Sequence, residues 1–194
     1  MRKNIILKTI LSFLLAFSLI VSLLGCKKEK SEAFHTSELH GKIAIINIWG
    51  TWCPPCRNEL PEFDRIANDF KDEVTVIAVH SSDFTTIKPE DYVKENFQNS
   101  EIVFLWDKES SDSQFDAYYA AVGGAGYYPF TVILDKHGRI TANITGATTY
   151  DRLAQEIEVA KLSGNIEFDM NSANVGCNIG DLCPTMELEY LIKE

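Results

Sequence analysis

The sequence has little basic charge for its size. It contains 18 lysines and arginines against 28 aspartates and glutamates, so its formal net charge is −10 at pH 7. A nucleic-acid-binding protein needs a clustered basic surface, and this class of function is therefore excluded. At 194 residues the chain is also too short for two full domains, although it has room for one domain and a further fragment.

Metal-ligating residues are scarce as well. The chain has five cysteines, an odd number that pairing alone cannot use up, and four histidines. Cys53 and Cys56 have a spacing found in zinc sites, but a zinc site needs a second pair of ligands. Cys177 and Cys183 are far away in sequence, and no two histidines have ligand spacing. We therefore expect neither a metal ion nor a cofactor.

The N-terminal segment is typical of export. Three basic residues among the first eight precede an uncharged apolar run over residues 9–24, which predicts a secretory signal. The run ends in Leu-Leu-Gly-Cys at 23–26, which resembles the lipobox of bacterial lipoproteins and implies cleavage before Cys26 and lipidation of that cysteine. The alternative is an uncleaved transmembrane anchor. Either interpretation places the protein at the cell membrane, on its extracytoplasmic face.

Removal of the signal peptide, residues 1–25, changes the charge balance. The remainder has 15 basic and 28 acidic residues, a net charge of −13. Such a surface is not expected to bind anionic lipids by charge. The lipid on Cys26 is therefore the predicted anchor, with residues 26–40 as a polar tether.

Apolar runs predict the strands of a central sheet at residues 43–48, 74–79, 102–105, 130–134 and 139–145. The first two runs are almost continuously apolar, which indicates strands buried on both faces and in part parallel. Helical spacing predicts a helix after Pro54 and Pro55 and further helices at 88–97, 112–121 and 150–162. The alternation predicts an α/β layer fold without internal repeats.

The chemistry is predicted at Trp52-Cys53-Pro54-Pro55-Cys56. The cysteine pair follows a buried strand and opens a helix, where unpaired N–H groups and the helix dipole favour a thiolate. Pro54 suits the first helical turn because its missing N–H is not needed there. Cys56, one turn later, can attack a mixed disulfide formed at Cys53. This arrangement favours a redox dithiol over a metal site.

Residues 41–162 resemble thioredoxin-like proteins of the membrane-anchored TlpA/ResA branch. The residues that carry the resemblance are Gly41-Lys42, the run Asn-Ile-Trp-Gly-Thr-Trp-Cys-Pro-Pro-Cys at 47–56, and Glu59-Leu60-Pro61. The resemblance implies a thioredoxin-like α/β fold over residues 41–163, with a central mixed β-sheet flanked by helices. It also implies that Cys53 attacks the substrate and that Cys56 resolves the adduct.

The same resemblance implies further site residues. Pro129 occupies the position of the family's cis proline, with Tyr128 before it, and both are expected to bind substrate together with Trp52. Trp49, Trp52 and Tyr128 would form an apolar rim. Asp83 is a candidate for proton transfer, and its alternative role is a solvated helix cap.

Other charged residues near the motif carry weaker expectations. Arg57 is predicted either to stabilise the thiolate or, as we favour, to be exposed. His80 and His137 are interpreted as structural or surface residues.

The C-terminal tail, residues 164–194, departs from the family pattern. Family domains begin with a segment of the form G-D-x-A-P-D-F-x-L, which is missing before residue 41, whereas a similar run starts at Gly180. The tail either begins a second thioredoxin-like domain, which we favour, or folds back as a displaced N-terminal hairpin. Cys177 and Cys183 then form a small disulfide or stay unpaired.

The predicted function is an extracytoplasmic thiol–disulfide oxidoreductase. The resemblance favours a reductase that acts on exported protein disulfides, including those of apocytochrome c, and that is recharged by a membrane electron-donor protein. One alternative is a peroxiredoxin-like peroxidase using Thr51, although that group has a lone reactive cysteine. The other is a copper-binding thiol chaperone, although related carriers space their cysteines by three residues.

Overall fold

The computed structural model describes residues 34–35, 39, 41–81, 87–106, 114–124, 126–165 and 187–190. These residues lie within the compact unit Glu32–Glu194. The predicted signal peptide, Cys26, Asp83, Cys177 and Cys183 lie outside the described residues. No helix in the described ranges is both long enough and apolar enough to cross a membrane.

The described elements alternate along the chain as the sequence predicts from residue 43 onward. The strands are β1 (Phe34–His35), β2 (Ile43–Trp49), β3 (Val74–His80), β4 (Val103–Trp106), β5 (Phe130–Leu134), β6 (Ile140–Thr145) and β7 (Glu187–Tyr190). The helices are α1 (Pro54–Asp69), α2 (Pro89–Asn96), α3 (Gln114–Ala121) and α4 (Tyr150–Ser163). The predicted α/β fold with a mixed sheet is therefore confirmed.

The sheet has the strand order β1-β7-β4-β3-β2-β5-β6. Strands β2, β3 and β4 run parallel, while β5 and β6 continue the sheet in antiparallel fashion. Every residue of β2 is buried, because helices cover both faces at the centre of the sheet. Its alternate residues enter two different cores, as expected for the two-residue repeat of a strand.

Helix α1 begins at the dithiol because the local sequence gives it a clear start. Cys53 is the N-cap, and Pro54 and Pro55 occupy the first helical positions. The buried face repeats every three or four residues and consists of Cys56, Glu59, Leu60, Phe63, Ile66 and Ala67. Helices α1 and α4 share one core of the sheet, and α3 contributes Tyr118 and Tyr119 to the other.

The C-terminal strand β7 lies inside this sheet. It pairs antiparallel with β4, where Tyr190 faces Leu105, and with β1, where Leu188 faces Phe34. This placement agrees with the fold-back interpretation of the tail and not with the second domain that we favoured from the sequence. The domain boundaries themselves stay predictions.

Deletion of residues 187–194 should destabilise the domain. The deletion removes the backbone pairing of β7 with both neighbours, and we expect the free energy of unfolding to fall by about 2 kcal/mol. Urea unfolding of the full and shortened chains measures this difference. Unchanged stability, together with unprotected amides at 187–190 in hydrogen exchange, would show that the tail does not complete the sheet.

Candidate active site

The two cysteines of the motif form a disulfide at the start of α1. Pro54 and Pro55 have no N–H, so the first amide donor of the helix is that of Cys56, and it donates to Cys53 Sγ at 3.3 Å. A helix N-terminus stabilises negative charge on a nearby sulfur. The geometry therefore favours a thiolate at Cys53 once the disulfide is reduced.

The exposure of the two cysteines differs in the direction that their predicted roles require. Cys53 is 4% exposed and Cys56 is fully buried. A substrate sulfur can therefore approach Cys53 from outside, whereas Cys56 can be reached only from within the protein. The attacking and resolving roles themselves remain predictions.

The turn before Cys53 places Trp52 over the protein backbone. The Cys53 amide donates to the Gly50 carbonyl at 3.0 Å, which closes a β-turn. The Trp52 indole folds back onto Gly50 so closely that a Cβ there would lie 2.5 Å from Trp52 Nε1. Trp52 also meets the Tyr128 ring edge-on, with 5.0 Å between ring centroids. The structure thus brings two predicted substrate-binding residues together.

The Tyr128–Pro129 peptide bond is cis, as the resemblance implies. Pro129 is buried, and its carbonyl accepts the amide of Gly146 at 2.8 Å. The Tyr128 hydroxyl donates to Ser81 Oγ at 3.1 Å. This contact joins the proline loop to the end of β3.

Two expectations about nearby residues are wrong. Trp49 does not belong to the rim, because it is fully buried and packs against His80 and Tyr92. Arg57 is half-buried rather than exposed, and its charge lowers the pKa of Tyr92 against the larger effect of burial, which raises it. Arg57 is therefore close to helix α2 as well as to the dithiol.

Glu59 is a buried carboxylate that is part of the family motif but to which the sequence assigns no role. It is 2% exposed, and its oxygens accept the Asn47 side-chain amide and the Thr148 backbone amide, each at 2.8 Å. Burial raises the pKa of Glu59 to about 7, although both hydrogen bonds act in the opposite direction. Near neutral pH the group can therefore gain or lose a proton readily.

Glu59 shares a helix face with Cys56. It follows Cys56 by three residues, a separation that places two side chains next to each other on a helix. A carboxylate inside the apolar stripe formed by Cys56, Leu60 and Phe63 is the signal that could have identified it. This spacing makes Glu59 a candidate to exchange a proton with Cys56.

Among the described residues, no group of three or more histidine, cysteine and acidic side chains could hold a metal ion. The chemistry that these residues offer is that of the dithiol, a neighbouring carboxylate and an aromatic rim. Together with the fold, they define a thiol–disulfide oxidoreductase of the thioredoxin-like class.

Comparisons with known proteins agree with this class. The chain belongs to the Redoxin family, whose model matches residues 18–159. It is 29% identical over 133 residues to the thiol–disulfide oxidoreductase ResA of Halalkalibacterium halodurans, a match that covers 68% of this chain and 70% of that protein. It is 28% identical over 136 residues to the thioredoxin-like protein YneN of Bacillus subtilis, covering 69% and 74%.

A solved structure supports the fold independently. The crystal structure of a DsbF homologue from Corynebacterium diphtheriae matches with a TM-score of 0.53 at 24% identity, over 66% of this chain and 83% of that chain. The chain is thus a thiol–disulfide oxidoreductase with Cys53 and Cys56 as its redox pair.

Replacement of Glu59 by Gln should change how stability depends on pH. The folded-state pKa of about 7 exceeds the ordinary value of 4.5, so the folded form binds the extra proton between these values. The contribution of Glu59 to the free energy of unfolding therefore falls by about 3 kcal/mol as pH rises from 4.5 to 7, and Glu59→Gln lacks this loss. Urea unfolding at several pH values should show that the free energy of unfolding of Glu59→Gln rises relative to that of the parent by this amount between pH 4.5 and 7.

The exposed Glu95 provides a matched control for this experiment. Glu95→Gln removes a carboxylate from solvent and should leave the pH dependence of the parent unchanged. A constant difference between Glu59→Gln and the parent across this pH range would contradict the raised pKa of Glu59.

Proposed function

We propose that this protein is a lipid-anchored disulfide reductase that acts on exported proteins at the extracytoplasmic face of a bacterial membrane. The observation that carries the dithiol exchange is the N-cap position of Cys53, whose sulfur accepts the backbone amide of Cys56, while the direction toward reduction is proposed from the resemblance to the TlpA/ResA branch. That position stabilises the thiolate that must attack a substrate disulfide.

The reaction transfers two electrons from the dithiol to the substrate. The Cys53 thiolate attacks one sulfur of a substrate disulfide, and the other substrate sulfur leaves as a thiolate that takes up a proton. Cys56 then gives up its proton, for which Glu59 is the nearby acceptor, and attacks Cys53 in the mixed disulfide. The Cys53–Cys56 disulfide forms, and the second substrate thiol is released.

The substrate is proposed to bind across the rim formed by Trp52 and Tyr128, next to Pro129. Trp52 and Tyr128 are both half-buried, so each presents part of an aromatic ring to an incoming chain. Asp83 remains a proposed second proton carrier. Apocytochrome c is a candidate substrate because haem attachment requires its cysteines in the reduced form.

Continued reduction requires a source of electrons. After each cycle the Cys53–Cys56 disulfide must receive two electrons and two protons, and a membrane electron-donor protein is the proposed source. The signal sequence and the lipobox ending at Cys26 support the proposed location and anchor.

The peroxidase alternative gains no support from Thr51. A peroxiredoxin-like peroxidase would need the threonine hydroxyl directed at the reactive cysteine, whereas the Thr51 hydroxyl donates to the carbonyl of Ile87 at 2.9 Å. The copper alternative likewise lacks a further sulfur or histidine ligand beside the pair among the described residues.

Cys53→Ala should abolish the reduction of insulin disulfides, because no attacking thiolate remains. Cys56→Ser should instead accumulate a mixed disulfide with its substrate, since nothing resolves the adduct. Expression of the second variant in bacteria, followed by non-reducing electrophoresis and mass spectrometry, identifies the trapped partner. Residual insulin reduction by Cys53→Ala, or adducts confined to cytoplasmic proteins, would refute the proposed function.

Cys26→Ala should release the protein from the membrane fraction if lipid is the anchor. If the apolar segment instead remains as a transmembrane helix, the variant stays with the membrane. Fractionation with Cys177→Ala as the matched cysteine control separates the two outcomes.

A further inference from the structure

We propose that His80 is a positioning residue that fixes the turn carrying Cys53 through its imidazole Nε2. The argument rests on the dithiol activity and holds for either direction of disulfide exchange. The hydrogen-bond contacts of the His80 ring are with Thr51, so His80 acts on Cys53 through that residue.

The hydrogen bond that closes the turn from Gly50 to Cys53 does not satisfy the Thr51 amide. Thr51 is the first central residue of the turn and is 1% exposed, so its N–H is cut off from water. His80 Nε2 accepts this N–H at 3.0 Å. A buried amide without an acceptor is costly, and this contact therefore favours one conformation of the turn.

His80 is itself held rigidly. It ends β3 directly opposite Trp49 of β2, is fully buried, and meets the Trp49 ring edge-on at 5.0 Å between ring centroids. The Trp106 ring lies on another side, at 6.3 Å and nearly perpendicular. Two tryptophans from the neighbouring strands thus orient the imidazole.

The ring is in the form that can accept a hydrogen bond. Burial lowers the pKa of His80 to about 4, so the imidazole is neutral near pH 7 with Nε2 unprotonated and the proton on Nδ1. Nδ1 is buried and has no hydrogen-bond partner among the described residues. Nε2 is therefore the ring atom that makes the polar contacts of His80, with the Thr51 amide and, at 3.3 Å, with the Thr51 hydroxyl oxygen.

The end of β3 contacts both loops of the active site. Next to His80, the Ser81 amide donates to the Trp49 carbonyl at 2.9 Å, and Ser81 Oγ accepts the Tyr128 hydroxyl. The Thr51 hydroxyl also donates to the Ile87 carbonyl, which connects the cysteine turn to the segment before helix α2. His80 thus holds the cysteine turn while its neighbour holds the proline loop.

The effect on Cys53 follows from its place directly after the turn. The backbone conformation of Cys53 as N-cap determines whether its Sγ can accept the hydrogen bond from the Cys56 amide. Loss of the Thr51 acceptor lets the turn move, weakens this contact and destabilises the thiolate. The Cys53 thiol pKa should then rise, and the dithiol should become a stronger reductant at equilibrium but a slower nucleophile.

Two substitutions of similar polarity test the proposal. In His80→Gln the side-chain oxygen can reach the position of Nε2, whereas the shorter side chain of His80→Asn can reach only that of Nδ1. We expect His80→Asn to raise the Cys53 thiol pKa and to lower the fraction of thiolate about tenfold, and His80→Gln to remain within about twofold of the parent. Thiolate absorbance against pH and the equilibrium with glutathione measure both properties in the folded protein.

A second variant removes the donor instead of the acceptor. Thr51→Pro has no N–H at position 51, and proline is favoured at the first central position of a β-turn. Because the proline itself favours the turn and leaves no N–H to satisfy, His80→Asn should shift the Cys53 thiol pKa much less in the Thr51→Pro background than in the parent. This cycle keeps the proposal testable if one His80 variant folds poorly.

His137 provides the matched control, since it is exposed in a turn and its ring contacts the Gly164 carbonyl. His137→Asn and His137→Gln should leave the thiol pKa and the redox equilibrium unchanged. The proposal is overturned if His80→Asn leaves the thiol pKa at the parent value, or if His80→Gln shifts it as far as His80→Asn.

Discussion

A buried carboxylate connects the helix that carries the dithiol to the rest of the molecule. Glu59 in α1 binds the side chain of Asn47 in the central strand β2 and the backbone of Thr148 before α4. Asn47 also donates to Thr131 in β5. Because α1 begins at Cys53, these contacts fix the position of the reactive sulfur relative to the sheet. The carboxylate that holds the helix is also a group whose pKa burial raises to about 7.

The site contains two buried titratable groups whose pKa values move in opposite directions. Burial raises the pKa of Glu59 to about 7 and lowers that of His80 to about 4. The contribution of Glu59 to stability falls as pH rises from 4.5, whereas that of His80 falls as pH drops below 6.5. Between pH 4.5 and 6.5 the two contributions to stability offset each other. Glu59 and His80 can therefore both stay neutral in this range without making the stability of the fold strongly pH-dependent.

Local patterns in the sequence were sufficient for the central elements. The apolar runs at 43–48 and 74–79 predicted β2 and β3 to within one residue. The two prolines between Cys53 and Cys56 located the start of α1. The roles of Glu59 and His80 depend on partners far along the chain, such as Thr148 and Thr51, and periodicity carries no information about such contacts. The pairing of the tail is beyond such patterns for the same reason, since only the sheet shows that β4 and β7 are neighbours.

The position of β7 also bears on how the molecule is made. Strand β4 ends at Trp106, but the strand that covers its edge starts at Glu187, near the end of the chain. During synthesis, β2 to β6 can therefore assemble while the edge of β4 still lacks its partner. Exposed strand edges invite pairing with other chains. The addition of β7 to the sheet thus covers this edge of β4 and removes a site open to pairing with other chains.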